Sequence, residues 1–198
     1  MNETIEPIYL KSFTCLFCHH PFKSSRVRSR FVRITSHDSD FKPNYENNDA
    51  NPLYYNVAVC PQCGFSFTED FLPSFSPIAK EKIKTLIHDQ WTSRSYGGER
   101  TIDDAIETYK LALLSAKLKE EKPLLSAGLT ARLAWLYREK GDSANEIRFL
   151  TASRDFYISA YQEEDYIGTL MSETRVQYMI AELSWRIDDK DEAIRQFS

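Results

Sequence analysis

The sequence predicts an α+β protein: a small β-rich N-terminal unit, residues 1–75, followed by an all-α antiparallel helical array, residues 76–198. Three observations predict it. All four cysteines fall in the first part, as two Cys-x2-Cys pairs. The same part is dense in aromatic and β-branched residues, which favour a pleated, half-buried surface. From Ser76 onward, apolar residues recur at helical spacing and are punctuated by helix start and stop signals. With 42% hydrophobic and 13% aromatic residues among 198, the chain has the material for a real core.

In the first part, each cysteine pair follows a strand-like stretch. "FKSSRVRSRFVRI" and "LYYNVAV" both read as strands, and the polar, turn-rich "TSHDSDFKPNYENNDANP" separates them. The helical part opens at "SPIAKEKIKTLIHDQW", where Ser76 caps, Pro77 suits the first turn, and Ile83, Leu86 and Ile87 share one face. "SRSYGGER" breaks that helix and is expected to be the interdomain hinge. Thr101 then caps a helix with Ile102, Ala105, Ile106, Tyr109 and Leu113 in helical register. Pro123 opens the next, which Gly141 ends in a left-handed conformation. Asp142 or Ser143 starts a third, carrying Ile147, Leu150, Tyr157, Ile158 and Tyr161. A fourth places Val176, Met179, Ile180, Leu183 and Ile187 on one stripe. "DDKDEAIRQFS" begins a last helix with no stop signal, which predicts that this helix is truncated at Ser198.

The helical part echoes itself. "LAWLYREKGDSANEIRFL" aligns with "IAELSWRIDDKDEAIRQF" at an offset of 47, pairing Ala134 with Ala181, Leu136 with Leu183, Asp142 with Asp189 and Ile147 with Ile194. An earlier "DDAIETY" repeats the second half at an offset of 41, and small residues on the first helix with "DxxxAI" opening the second resemble tetratricopeptide repeats over residues 101–198. The offset exceeds their usual period of about 34, so the helices must be longer or the connections different. A plain antiparallel bundle satisfies the same pattern.

Composition narrows the function classes. No stretch reaches the roughly 18 apolar residues of a membrane span, and "MNETIEPIYLKSF" lacks the layout of a signal peptide. The expected location is the cytoplasm, where disulfides do not persist and paired cysteines point to metal or redox chemistry. A net charge of -4 disfavours a wholly nucleic-acid-binding chain. "SYGGER" lacks the spacing and the Lys-Ser/Thr of a phosphate loop.

"CLFC" and "CPQC" supply Cys15, Cys18, Cys60 and Cys63. Four thiolates from two such knuckles make the closed tetrahedral shell of a structural Zn2+. Gly64 permits the positive φ that ends the second knuckle, and Pro61 stiffens its entry. The 41 residues between Cys18 and Cys60 are more than a typical ribbon holds. Closing that longer loop costs only about 1 kcal/mol extra, against on the order of 10 kcal/mol from a structural zinc. The intervening segment must then form its own hairpin or ordered loop. His19 or His20 replacing a cysteine, a redox dithiol and a catalytic zinc are the rivals. Four cysteines leave a catalytic zinc no open position.

The Arg-rich "VRSRFVRITSHDSDF" and "NPLYYNVAVCPQCGFSF", after "CLFC", resemble an uncharacterised bacterial family, found chiefly in Gram-positive organisms. That family joins an N-terminal zinc ribbon to tetratricopeptide-like helices. The resemblance spans nearly the whole chain and implies Zn2+ at Cys15, Cys18, Cys60 and Cys63; it implies no activity.

Arg26, Arg28 and Arg30 would share one strand face as a basic ridge able to meet phosphates, unless Asp38, Asp40, Glu46 and Asp49 neutralise it. His37–Asp38 and His88–Asp89 lack a third catalytic partner. "KLKEEK" and "QEEDY" read as solvated faces or turns. Trp135, Tyr137, Phe149, Tyr157, Tyr161, Tyr178 and Trp185 either line a partner groove or form core. The functional expectation is a non-enzymatic, zinc-stabilised interaction or scaffold protein with a protein partner on its helices. The alternatives are a nucleic-acid-binding zinc-ribbon module and a thiol-based redox or stress sensor.

Overall fold

The computed structural model describes residues 5–46 and 50–197, and it has the expected α+β organisation of strand pairs followed by six α-helices. Strand β1 (Ile8–Thr14) pairs antiparallel with β2 (Pro21–Val27), in unbroken register from Ile8↔Val27 to Thr14↔Pro21. Strands β3 (Ile34–His37) and β4 (Pro43–Tyr45) form a second pair with an irregularity between Ile34 and Ser36. Strands β5 (Ala58–Val59) and β6 (Ser66–Phe67) form a third. The β3–β4 hairpin is the ordered structure that the long inter-cysteine segment requires.

Two strand expectations need correction. "FKSSRVRSRFVRI" is not one strand: β2 ends at Val27, and Ser29–Phe31 form a 3-10 turn held by Phe31 N–H to the Arg28 carbonyl and Val32 N–H to the Ser29 carbonyl. "LYYNVAV" begins as a second 3-10 turn, Pro52–Tyr55, because the Asn51 side chain accepts from Leu53 N–H and Pro52 sets the first φ. Turn chemistry there overrides the strand propensity of Tyr54 and Tyr55.

The helices start where capping predicts. Helix α1 (Pro77–Leu86) is capped by Ser76, whose Oγ accepts from Ala79 N–H. Ile83 and Ile87 are buried, but Leu86 is 54% exposed and does not share their face. Helix α2 (Ile102–Lys119) opens with a reciprocal box: Thr101 Oγ1 accepts from Asp104 N–H, and the Asp104 carboxylate accepts from Thr101 N–H. Helix α3 (Pro123–Lys140) ends at Gly141 with φ 76°, and α4 (Ser143–Gln162) is capped by Asp142. Helices α5 (Glu173–Arg186) and α6 (Lys190–Phe197) follow.

The described residues pack into two compact units: 5–37 with 43–46 and 50–119, and 38–42 with 120–197. This differs from a division near residue 76, because α2 packs on β5 and β6 and α1 packs on α2. In the first unit Tyr109 of α2 donates to the Leu53 carbonyl, and Ser115 Oγ accepts from Ser66 N–H on β6. In the second, α3 packs on α4, α4 on α5 and α5 on α6. Ala127, Ala134, Leu150, Tyr157, Val176, Met179, Ile180 and Leu183 form its core. Small residues on α3 let the helices approach closely. Ile147 is 50% exposed, outside that core. Of the helix aromatics, Trp135, Tyr137 and Tyr157 are buried, Phe149, Tyr161 and Tyr178 half-buried, and Trp185 is 55% exposed.

"SYGGER" is not a hinge between the units; it lies inside the first. The Gly97 carbonyl accepts from Ser25 N–H and from Ser25 Oγ, continuing the β2 edge. Arg100 is buried and spends its whole guanidinium on neutral acceptors: the carbonyls of Tyr54, Val57 and Tyr96, and Ser24 Oγ. Burial, and then the neighbouring Arg26 charge, bring its pKa down to about 10. The clamp ties the chain before α2 to β2 and to the turn before β5.

Arg100→Met is expected to leave those carbonyls dry and unpaired, costing on the order of 3 kcal/mol in urea unfolding of the first unit. A loss below about 1 kcal/mol would show that the carbonyls find other donors. Thr101→Ala should cost about 1 kcal/mol through the lost cap. The Asp104 carboxyl is held below its ordinary range by hydrogen bonding to Thr101. Its contribution is therefore complete above the unfolded carboxylate pKa and is lost as pH falls through the lower folded value. The penalty of Thr101→Ala should accordingly shrink as unfolding is measured at progressively more acid pH.

Candidate metal centre

Each Cys-x2-Cys pair is the loop of an antiparallel hairpin, and the two loops have the same internal bonding. In the first, which joins β1 to β2, Cys15 N–H donates to the His20 carbonyl at 3.0 Å and His19 N–H to the Cys15 carbonyl at 3.0 Å. In the second, which joins β5 to β6, Cys60 N–H donates to the Phe65 carbonyl at 3.0 Å and Gly64 N–H to the Cys60 carbonyl at 2.9 Å. The residue after each pair takes a left-handed conformation, His19 at φ 60° and Gly64 at φ 74°.

The two knuckles bring Cys15, Cys18, Cys60 and Cys63 together, with all four sulfurs within 4.8 Å of one another. Cys15 lies 3.6 Å from Cys63, and Cys18 lies 3.6 Å from Cys60, each pair crossing between knuckles. A disulfide would need about 2.05 Å, so the thiols are unbridged. Four sulfurs about 2.3 Å from a central zinc stand about 3.8 Å apart at the corners of a regular tetrahedron. The observed separations match that cage. His19 and His20 are exposed, and neither joins the cluster.

The thiols do not ionise independently. Hydrogen bonds from Cys15 and Cys63 hold Cys60 far below the usual thiol range. Hydrogen bonding to Cys60 pushes Cys15 up to about 12, and bonding to Cys15 and Cys60 raises Cys63 well above its ordinary value. One thiolate forms easily here and each further negative charge is opposed. A divalent cation among the sulfurs removes that opposition, so this donor set fits a soft metal in a closed shell.

An aromatic cluster joins the two knuckles, for Phe17 lies inside the first and Phe65 two residues after the second. Phe65 is fully buried and packs on Phe17, Phe67, Phe71 and Phe75, with centroids 5.5–6.2 Å away. The Trp91 indole lies on Gly64 and donates through Nε1 to the Pro61 carbonyl at 2.9 Å. A Cβ on Gly64 would stand 2.4 Å from that ring, so glycine is demanded twice, by φ and by space. Only the first demand is legible in the local sequence. Trp91 is 27 positions further along, and no local signal links it to the knuckle.

The basic ridge is not assembled as expected. Arg26 is on β2, Arg28 just beyond it and Arg30 in the 3-10 turn, so they do not share a strand face. The Arg26 guanidinium donates to the carbonyls of Tyr55 and Asn56 and covers the Phe13 ring at 4.7 Å, and burial lowers its pKa. Arg28 donates to the Glu6 carbonyl and stacks on Tyr9, and Arg30 stacks on Phe31. Of the acids expected to neutralise them, Glu46 pairs with Arg33 at 3.3 Å, whereas Asp38 and Asp40 pair with Arg138. Asp49 lies outside the described residues. His88 sits 3.7 Å from Asp89, whose carboxylate also meets Lys84. In "QEEDY", Asp165 is buried rather than solvated: it accepts from Leu124 N–H at the start of α3 and pairs with Lys122.

Gly64→Ala is expected to displace Trp91 and strain the knuckle, lowering the melting temperature and speeding metal loss to a chelator, while Gly98→Ala, where a Cβ meets nothing within 4 Å, should do neither. Equal effects of the two substitutions would mean that the Trp91 lid has no part in holding the cage. No curated protein and no solved structure matches the chain. A family model described as an uncharacterised protein conserved in bacteria, DUF2225, matches residues 8–198, and the chain belongs to that family.

Proposed function

We propose that the protein is a non-enzymatic, zinc-stabilised interaction or scaffold protein of the bacterial cytoplasm. In this reading a ribbon-like first unit is folded around a structural Zn2+, and a tetratricopeptide-like helical unit engages a protein partner. The observation that carries it is the cage of four sulfurs from two like hairpins, closed by cysteine alone, with spacing that suits zinc. A shell of four protein ligands leaves no position for a water or substrate, which favours a structural over a catalytic ion. The consecutive packing of α3 to α6 and the exposure of Trp185 and Ile194 support a partner-binding helical unit. Among the described residues no helix is long and apolar enough to cross a membrane.

The test is native mass spectrometry of protein purified without added metal. One zinc per chain is expected, released by chelation together with loss of the first unit's near-ultraviolet aromatic signal. Cys60→Ser should abolish stoichiometric zinc and leave that unit unfolded or molten, because metal binding and folding are one equilibrium in such sites. A metal-free chain that keeps its native spectrum would overturn the zinc reading and favour the thiol-sensor alternative.

A further inference from the structure

Residues 38–42, "DSDFK", are the loop between β3 and β4, yet they pack within the helical unit. The loop is shaped internally: Asp38 N–H donates to the Lys42 carbonyl and Phe41 N–H to the Asp38 carbonyl. Its outward contacts are made mostly by side chains of α3 and α5, and all five residues are met. Asp38 pairs with Arg138 at 2.7 Å. The Ser39 carbonyl accepts from Tyr178 Oη at 2.9 Å, and its hydroxyl meets Glu182 and Arg186. Asp40, fully buried, takes Arg138 Nη2 at 2.7 Å, Trp135 Nε1 at 3.0 Å and Arg186 Nη2 at 3.6 Å. The Phe41 ring lies between Tyr178, 5.4 Å away, and the Arg175 guanidinium, 4.6 Å away. Lys42 pairs with Glu139 at 3.1 Å.

Three features distinguish this from ordinary turn packing. The reading groups are braced by acids of the helices themselves: Arg138 Nε is held by Glu146 at 2.6 Å and Arg186 Nε by Glu182 at 2.7 Å, so the remaining guanidinium nitrogens are aimed at the loop. Pre-held forks of this kind lower the ordering cost of binding a carboxylate. A buried ionic network is also a poor stabiliser compared with apolar packing and is better suited to specifying one partner. Finally, Phe41 adopts φ 62°, a conformation rare for a residue with a side chain, which these contacts must hold in place.

We propose that the α3–α5 face of the helical unit is a recognition site for an acidic, aromatic-bearing protein turn of the form Asp-x-Asp-Phe, and that residues 38–42 are its built-in occupant. This rests on the reading that the helical unit binds a protein partner, and it names the chemistry of that partner. A competing segment must present a carboxylate to the Arg138–Trp135–Arg186 pocket and an aromatic ring to Tyr178 and Arg175. The resident loop therefore acts as an autoinhibitory contact.

The test uses the full chain carrying Asp40→Ala and Phe41→Ala, which removes the loop's buried carboxylate and its ring and so weakens its hold on the site, and a labelled cyclic peptide of residues 37–43 followed by fluorescence polarisation. The double variant should bind the peptide at least about tenfold more tightly than the unaltered chain, whose own loop competes. A peptide with asparagine in place of Asp40 should bind at least about tenfold more weakly, and binding should fall with salt. A folded variant that binds neither peptide, or both equally, overturns the proposal. Should the double variant not fold, Phe41→Ala alone serves the same comparison. If that also fails to fold, the loop is core and the proposal falls. Zinc content is measured on the same samples, so failure of the scaffold reading appears as metal-free protein, whereas failure here appears as absent peptide binding in zinc-loaded protein.

Discussion

Two short hairpins, whose cysteine pairs are separated by 41 residues of chain, end in loops whose four sulfurs converge, and the first unit is arranged around that convergence. Neither hairpin has the size to stand alone. Two-stranded pairs are marginal in water, and β5–β6 contributes only two residues from each strand. What joins them is the thiol cage and the aromatic shell around Phe65, so fixing the four sulfurs also fixes the register of both hairpins. Hydrogen bonding among the sulfurs and burial push the Cys15 and Cys63 thiols above their ordinary range, an opposition to negative charge that a bound cation would remove.

Arg100 solves a related problem without a counter-ion. The irregular backbone around Tyr54–Val57 carries carbonyls that no strand partner reaches, and a five-donor planar group satisfies them in one stroke. Its burial lowers its pKa, but lone-pair acceptors on several sides keep the charge solvated by protein. Arg26 repeats the device at the carbonyls of Tyr55 and Asn56. The arginines of this unit thus act first as backbone solvent, which is a different use from a phosphate-facing ridge.

The helical unit depends on small residues and caps. Ala127 and Ala134 let α3 lie close to its neighbours, and the Gly141–Asp142 connection both stops α3 and starts α4. Its electrostatics centre on Arg138, for which burial is outweighed by hydrogen bonds to Asp40 and Glu146, leaving the guanidinium above its ordinary pKa. Asp40 and Arg138 are 98 positions apart, so this pairing belongs to the tertiary fold alone.

Local chemistry made several features legible from the sequence. Ser76, Thr101 and Asp142 cap, Gly141 stops a helix, and the Cys-x2-Cys spacing defines each knuckle, because each such signal acts within about four residues. Strand extents were not legible: Asn51–Pro52 and the Arg28 carbonyl close 3-10 turns whose energies rival strand propensity. The division into units also escaped composition, since the first helices join the strands: α2 packs on β5 and β6, and α1 packs on α2. The sequence by itself determined the α+β class, the helix starts and the four ligand candidates. Only the tertiary structure decided that Trp91 covers Gly64, that Arg100 fills the carbonyls before β5, and that Asp40 meets Arg138 rather than a nearby arginine. Those choices are made by shape and charge across long sequence separations, where no periodicity or cap can signal them.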